Sequence, residues 1–191
     1  MFENKLRLFQ EAKKSKVLLN GVLSTLISII IIFVGQLIGA SVFVIIATPL
    51  RPSGAILWTL QLILLSIFPL LLLFIWVKFV EKRKIRTLGL VRDNFLTKFL
   101  VGFGIGFLLF TLVTLLMYIT GVIDLNQSIS TEINFLPGIL VVLPGWILQS
   151  STEEIISRGW LMHIIGARYK PIVGFIVSSI LFGLLHITNP G

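Results

Sequence analysis

Apolar residues in this chain come in long runs, and the charged residues are bunched between them. A helix that crosses a bilayer needs roughly 20 mostly apolar residues. Four stretches meet or approach that standard, namely 17–47, 55–77, 99–120 and 135–167, and a fifth covers 171–187. The first carries no charge at all, and the second is broken only by Gln61, Ser66 and Pro69. The third holds Gly102 and Gly106, a GxxxG spacing that permits close helix contact but is frequent by chance in a Gly-rich span. The fourth opens on two Leu-Pro-Gly triplets, Leu136-Pro137-Gly138 and Leu143-Pro144-Gly145. Proline suits a helix start and otherwise kinks the helix, so the main helix is expected to begin near Pro137 or to restart at Pro144. The pattern predicts an all-α fold, a polytopic transmembrane helical bundle of about five helices.

The basic residues give that bundle an orientation. Lys5, Arg7, Lys13, Lys14 and Lys16 precede the first run. Lys78, Lys82, Arg83, Lys84, Arg86, Arg92 and Lys98 lie between the second and third, and Arg168 and Lys170 between the fourth and fifth. Fourteen of the sixteen basic residues therefore fall on alternate connections, while 121–134 has Asp124 and Glu132 instead. Positive charge stays on the cytoplasmic side, which makes residues 1–16 a basic cytoplasmic arm and 17–191 the membrane-embedded domain. That arm serves topology, with attraction to anionic lipid as the lesser reading. Its apolar continuation far exceeds the 7–15 residues of a signal-peptide core.

Composition sharpens the class. Of 191 residues 56% are hydrophobic and 13% charged, with mean hydropathy +1.03. Soluble domains carry about 25% charged residues. The net charge of +8 would suggest nucleic acid in a soluble protein, but here it belongs to the loops of an integral multi-pass membrane protein, expected in a bacterial cell membrane. The chain has no cysteine, so disulfides, thiolate metal sites and a cysteine nucleophile are excluded.

Ionisable groups inside a span cost about 2.5–3.5 kcal/mol each on insertion scales and mark functional sites by default. The first three spans have none well inside them. The fourth carries Glu153, Glu154, Arg158 and His163, and the fifth carries His186. Read as a helix, Glu154 and Arg158 are four apart with the carboxylate N-terminal, the better orientation for an ion pair. Glu153 lies about 100° around the helix from Glu154 and is left for chemistry. A carboxylate in a low-dielectric site is pushed toward neutrality, which suits a general base. The competing view makes both acids solvated at a helix end. Against it, Glu153 precedes Arg168 by 15 residues, on the order of 22 Å of helix. His186 follows Lys170 by 16 residues, on the order of 24 Å. With the two helices antiparallel, Glu153 and His186 are expected at nearly one depth, separated by a water-bridged distance of roughly 4–7 Å. His163 lies nearer the turn and reads as structural or interfacial.

Glu153-Glu154-x-x-x-Arg158 followed by Phe182-x-x-x-His186 resembles the first two motifs of the CPBP family, the CAAX-protease and bacteriocin-processing intramembrane proteases, also called the Abi family. Arg86-Thr87-Leu88-Gly89-Leu90 is similar to that family's basic loop, so the resemblance covers about 80–191. It implies an intramembrane endopeptidase in which Glu153 and His186 activate the attacking water while Glu154 and Arg158 support the site. It also implies a bilayer and a peptide or membrane-protein substrate, prenylated or a bacteriocin precursor, as partners. A metal-free, glutamate-dependent mechanism is favoured. A divalent metal such as zinc, held by Glu153 and His186, is the other reading, although catalytic zinc usually takes three protein ligands. The family's third motif, a His followed four residues on by Asn or Asp, is missing, and Asn189 is in the wrong place to replace it. The expectation is thus an N-terminal fragment, inactive by itself because donors to the developing oxyanion are lacking.

Other intramembrane proteases fit poorly, since HExxH and Gly-x-Ser-Gly are absent and no aspartate lies within a span. The rival from another class is a non-enzymatic membrane protein: a bacteriocin self-immunity factor, scaffold or transporter component. In it Glu154–Arg158 is structural and His186 is packing.

Overall fold

The computed structural model describes residues 2–90, 94–124 and 135–187. Arg92, Gln127, Glu132 and Asn189 lie outside the described residues. Among those described every element is helical, as the apolar runs require: without water, backbone groups in a bilayer must pair within the segment. The helices are α1 (Phe2–Lys13), α2 (Gly21–Leu50), α3 (Gly54–Ile75), α4 (Phe95–Ile119), α5 (Phe135–Glu154), α6 (Met162–Arg168) and α7 (Pro171–His186). Four helical stretches, Gly21–Leu50, Gly54–Val80, Phe95–Ile119 and Leu136–Arg168, are long and apolar enough to cross a membrane, and Pro171–His186 is a shorter apolar helix. The chain is an integral multi-pass membrane protein.

It forms two compact units, residues 1–90 with 136–191, and residues 91–135. The second unit is built on α4, which has no buried residue of its own. An apolar helix with apolar residues on every side is suited to lipid contact.

In the first unit α2 starts at Asn20, whose Oδ1 accepts from the Leu23 amide at 2.8 Å. An Asn side chain satisfying one of the free amides of the first turn is a strong helix start. Helices α2 and α3 approach closely at Gly35 and Gly39. A Cβ at Gly35 would collide with the backbone of Pro69, and one at Gly39 with the carbonyl of Leu64. A small-residue contact within this unit is therefore Gly35-x-x-x-Gly39. Lipid offers no hydrophobic drive between helices, so a tight van der Waals fit of this kind carries much of their association.

Helix α5 begins at Phe135, beside Pro137, the first of the two expected starts, and runs through Pro144. It passes directly into a π-helical segment, Ile155–Leu161, and then into α6. Each π turn inserts an extra residue and rotates everything after it, and such bulges favour functional sites. Gly159 in this segment faces the 3-10 turn Ile85–Leu88, where a Cβ would sit 2.8 Å from the Leu88 carbonyl oxygen. Only glycine lets that backbone come so near.

The basic arm is more than a topology signal. Residues 2–13 form α1, Ala12 is fully buried, and the Phe9 ring packs 4.7 Å from the ring of His163. The Lys16 amide donates to the Glu81 carbonyl at 3.0 Å, and Arg168 Nη1 donates to the Leu18 carbonyl at 2.7 Å. The apolar centre of this unit lies beneath these contacts, around Leu73, Val77, Trp160, Leu161, Ile164 and Ile165.

Candidate active site

The four residues singled out from sequence lie around one face of the junction between α5, the π segment and α7. Glu153 is the penultimate residue of α5 and His186 the last of α7. His186 Nε2 is 3.6 Å from Glu153 Oε2, shorter than the expected roughly 4–7 Å, just beyond a direct hydrogen bond and still within reach of one shared water. Both side chains are about one-third exposed, at 37% and 34%.

The imidazole is held from behind. His186 Nδ1 lies 2.8 Å from the Phe182 carbonyl oxygen, which can only accept, so Nδ1 carries a proton. In the neutral ring this leaves the Nε2 lone pair facing Glu153. The Phe182 ring stacks on the imidazole with centroids 4.3 Å apart, and the Arg158 guanidinium carbon lies 5.1 Å from the Phe182 ring centroid. Phe182 thereby joins the two motifs through both its ring and its carbonyl.

Glu153 is oriented from its own helix. Gln149 Nε2 donates to Glu153 Oε1 at 3.2 Å, leaving Oε2 directed at the histidine. Sequence reasoning passed over Gln149, although it is a polar residue one helical turn before Glu153. Ser157 Oγ donates to the Glu153 carbonyl at 2.6 Å, at the start of the π segment.

Glu154 pairs with Arg158 as the spacing requires. The pair is not buried, however: the Arg158 and Glu154 side chains are 41% and 53% exposed. The extra π residue turns this flank of the helix outward while Ile156, Trp160 and Leu161 turn inward. His163 stays apart from Glu153, with Nδ1 donating to the Gly159 carbonyl at 3.1 Å.

Glu153 and His186 open into a cavity of about 380 Å³ between α2, α3, α5 and α7. Phe33, Trp58, Leu62, Leu65, Leu181 and Leu185 supply apolar wall, and Gln36, Gln61 and Gln149 supply amides. A mainly apolar cavity with a few convergent polar groups is the usual form of a binding site.

A second polar cluster supports the π segment. Glu81 is fully buried; its Oε1 accepts from Trp160 Nε1 at 2.6 Å and from Trp76 Nε1 at 3.2 Å. Arg83 Nε donates to Glu81 Oε2 at 2.7 Å, and Arg83 Nη1 donates to Thr87 Oγ1 at 3.3 Å. The only hint in the sequence is a lone acid, Glu81, inside the basic stretch 78–86.

A zinc site is poorly served by these residues. Among the described residues no group of three or more His, Cys, Asp or Glu side chains is placed to hold a metal, and catalytic zinc takes three protein ligands.

The model of the Rce1-like family, type II CAAX prenyl endopeptidase Rce1-like, matches residues 134–191. The likeness covers under a third of the chain. The matched segment contains Glu153, Glu154, Arg158, Phe182 and His186, the residues that carry the resemblance to CPBP and CAAX proteases. The segment is thus similar to a family of CAAX prenyl endopeptidases. No curated protein and no solved structure gives a significant match to the chain.

Proposed function

We propose that this protein is a CAAX-type intramembrane endopeptidase in which Glu153 and His186 activate water against a peptide carbonyl. The observation that supports the reading is the 3.6 Å approach of His186 Nε2 to Glu153 Oε2 at an apolar cavity. A water beside the pair donates one O–H to Glu153 Oε2 and the other to the Nε2 lone pair. Its oxygen forms a bond to the carbonyl carbon as a proton passes to Glu153. The C–N bond then breaks, and the same proton moves from Glu153 to the leaving nitrogen. Removal of the water from bulk solvent strengthens each of these interactions. Arg158 stacks on Phe182 and keeps His186 in register, and Glu154 holds Arg158. The substrate is a peptide or membrane-protein segment, prenylated or a bacteriocin precursor, whose apolar part the mainly apolar cavity suits.

The test is cleavage of prenylated and leader-type peptides by the native gene product in lipid nanodiscs. Glu153→Gln and His186→Ala should each lower the rate by roughly 10²–10⁴-fold, as for loss of a general base. Loss by a strong chelator with restoration by zinc would replace the carboxylate mechanism by a metal one. Cleavage untouched by either substitution would favour a binding role, as in an immunity factor or scaffold.

A further inference from the structure

A second cavity, of about 350 Å³, lies away from Glu153 and His186 where α1 meets the connection after α3. Its cationic walls are Arg7 and Lys14 from α1 and Lys82, Arg83, Lys84 and Arg86 from the connection; Glu11 is its acid. Glu11 is already taken up, since Lys14 Nζ donates to it at 2.7 Å. That hydrogen bond, with the Arg7 and Arg86 charges adding to it, holds the Glu11 carboxyl below the ordinary carboxylate range.

Arg83 is likewise engaged with Glu81, its Nη2 lying 2.6 Å from Oε2. The side chain is 3% exposed, yet Nη2 makes no directed hydrogen bond, the only buried side-chain nitrogen or oxygen among the described residues in that position. After Glu11 and Glu81 are each set against one cation, the cavity keeps an excess of about four positive charges. Like charges drawn together in this way repel, and a bound anion relieves the repulsion.

The surroundings indicate which anion. Lys16, Arg168 and Tyr169 are held at the same end of this unit through Glu81, Leu18 and Gly21. That end is where the apolar spans stop, the level of lipid headgroups. Basic pockets at such a level bind the phosphates of anionic lipids, and arginine forks match phosphate oxygens. We propose that the cavity between α1 and residues 82–87 is a binding site for a phosphate-bearing anion, supplied by an acidic phospholipid headgroup.

The site is tested with the purified chain in neutral detergent, by thermal unfolding and by mass spectrometry of retained lipid. The probes are phosphatidylglycerol, phosphatidylcholine and inorganic phosphate. Phosphatidylglycerol should raise the unfolding temperature and stay bound where phosphatidylcholine does not. The triple variant Arg7→Gln, Lys14→Gln, Arg86→Gln changes exposed residues only, and it should weaken phosphatidylglycerol binding by roughly fivefold per cation removed, about 100-fold in all. A control triple, Arg51→Gln, Lys78→Gln, Lys170→Gln, removes the same charge outside the cavity and should bind normally. An inorganic phosphate effect as large as the lipid effect would make free phosphate the source. Equal effects of the two lipids, or equal losses in the two triple variants, would overturn the site.

Discussion

Trp160 Nε1 donates to Glu81 Oε1 at 2.6 Å, joining the π segment of the fourth span to the end of the second across 79 positions of sequence. The same oxygen accepts from Trp76, and the other carboxylate oxygen holds Arg83. A fully buried carboxylate with three donors exchanges its water for fixed partners, and each partner depends on the others. Glu81→Ala should therefore be among the most damaging substitutions outside the site. It leaves the Arg83 guanidinium buried without its counter-charge, a cost of about 3–5 kcal/mol. Thermal unfolding in detergent would register this, and Trp160→Phe, which removes one charge-assisted hydrogen bond, should cost about 1.5–3 kcal/mol.

Arg158→Ala should reduce cleavage. The guanidinium pairs with Glu154 inside the fourth membrane-spanning stretch, and its loss leaves that carboxylate without a counter-charge. The side chain also lies over the Phe182 ring, whose carbonyl holds His186. Its loss is felt as imidazole misplacement, so kcat falls and Arg158→Lys recovers only part of it. Cleavage untouched by Arg158→Ala would contradict this positioning role.

Gly39→Leu should break the packing of α2 on α3, because its Cβ collides with the Leu64 carbonyl, a backbone atom that has no rotamer to adopt. Overpacking of this kind costs about 1–3 kcal/mol or more. Gly183→Leu should be nearly neutral, since a methyl there meets nothing within 4 Å among the described residues. The two variants are compared by unfolding temperature, and equal effects would contradict the placement of the small-residue contact.

The orientation has a clean test because the native chain has no cysteine. Cysteines introduced singly at Lys84 and at Gln127 should label from opposite sides of the membrane, Lys84 from the cytoplasm. Labelling of both from one side would overturn the positive-inside assignment and the depth argument that rests on it.

Much of the fold was legible in the sequence because hydropathy in a membrane protein is nearly a structural statement. A run of about 20 apolar residues has to be helical, and its ends have to lie near water. The candidate site was legible for a related reason. Glu153, Glu154, Arg158 and His186 are costly in a span, so their presence together in the last two helices needed no tertiary information to stand out. The spacing of Glu154 and Arg158 paired them, and equal distances from the shared turn brought Glu153 level with His186.

Tertiary structure decided what depends on contacts between distant segments. Hydropathy does not encode which small-residue pair meets a partner, since that depends on whether another backbone lies opposite, as Pro69 and Leu64 do at Gly35 and Gly39. The π turn that moves Arg158 outward and Trp160 inward arises from a register shift that composition does not carry. No local pattern marks Glu81 in its basic connection, yet two tryptophans and an arginine close around it. The basic arm read as charge alone, yet Ala12 and Phe9 fasten it to the bundle. Local sequence determined where the chain is apolar and which residues are too expensive to be idle; long-range packing determined which way each of them points.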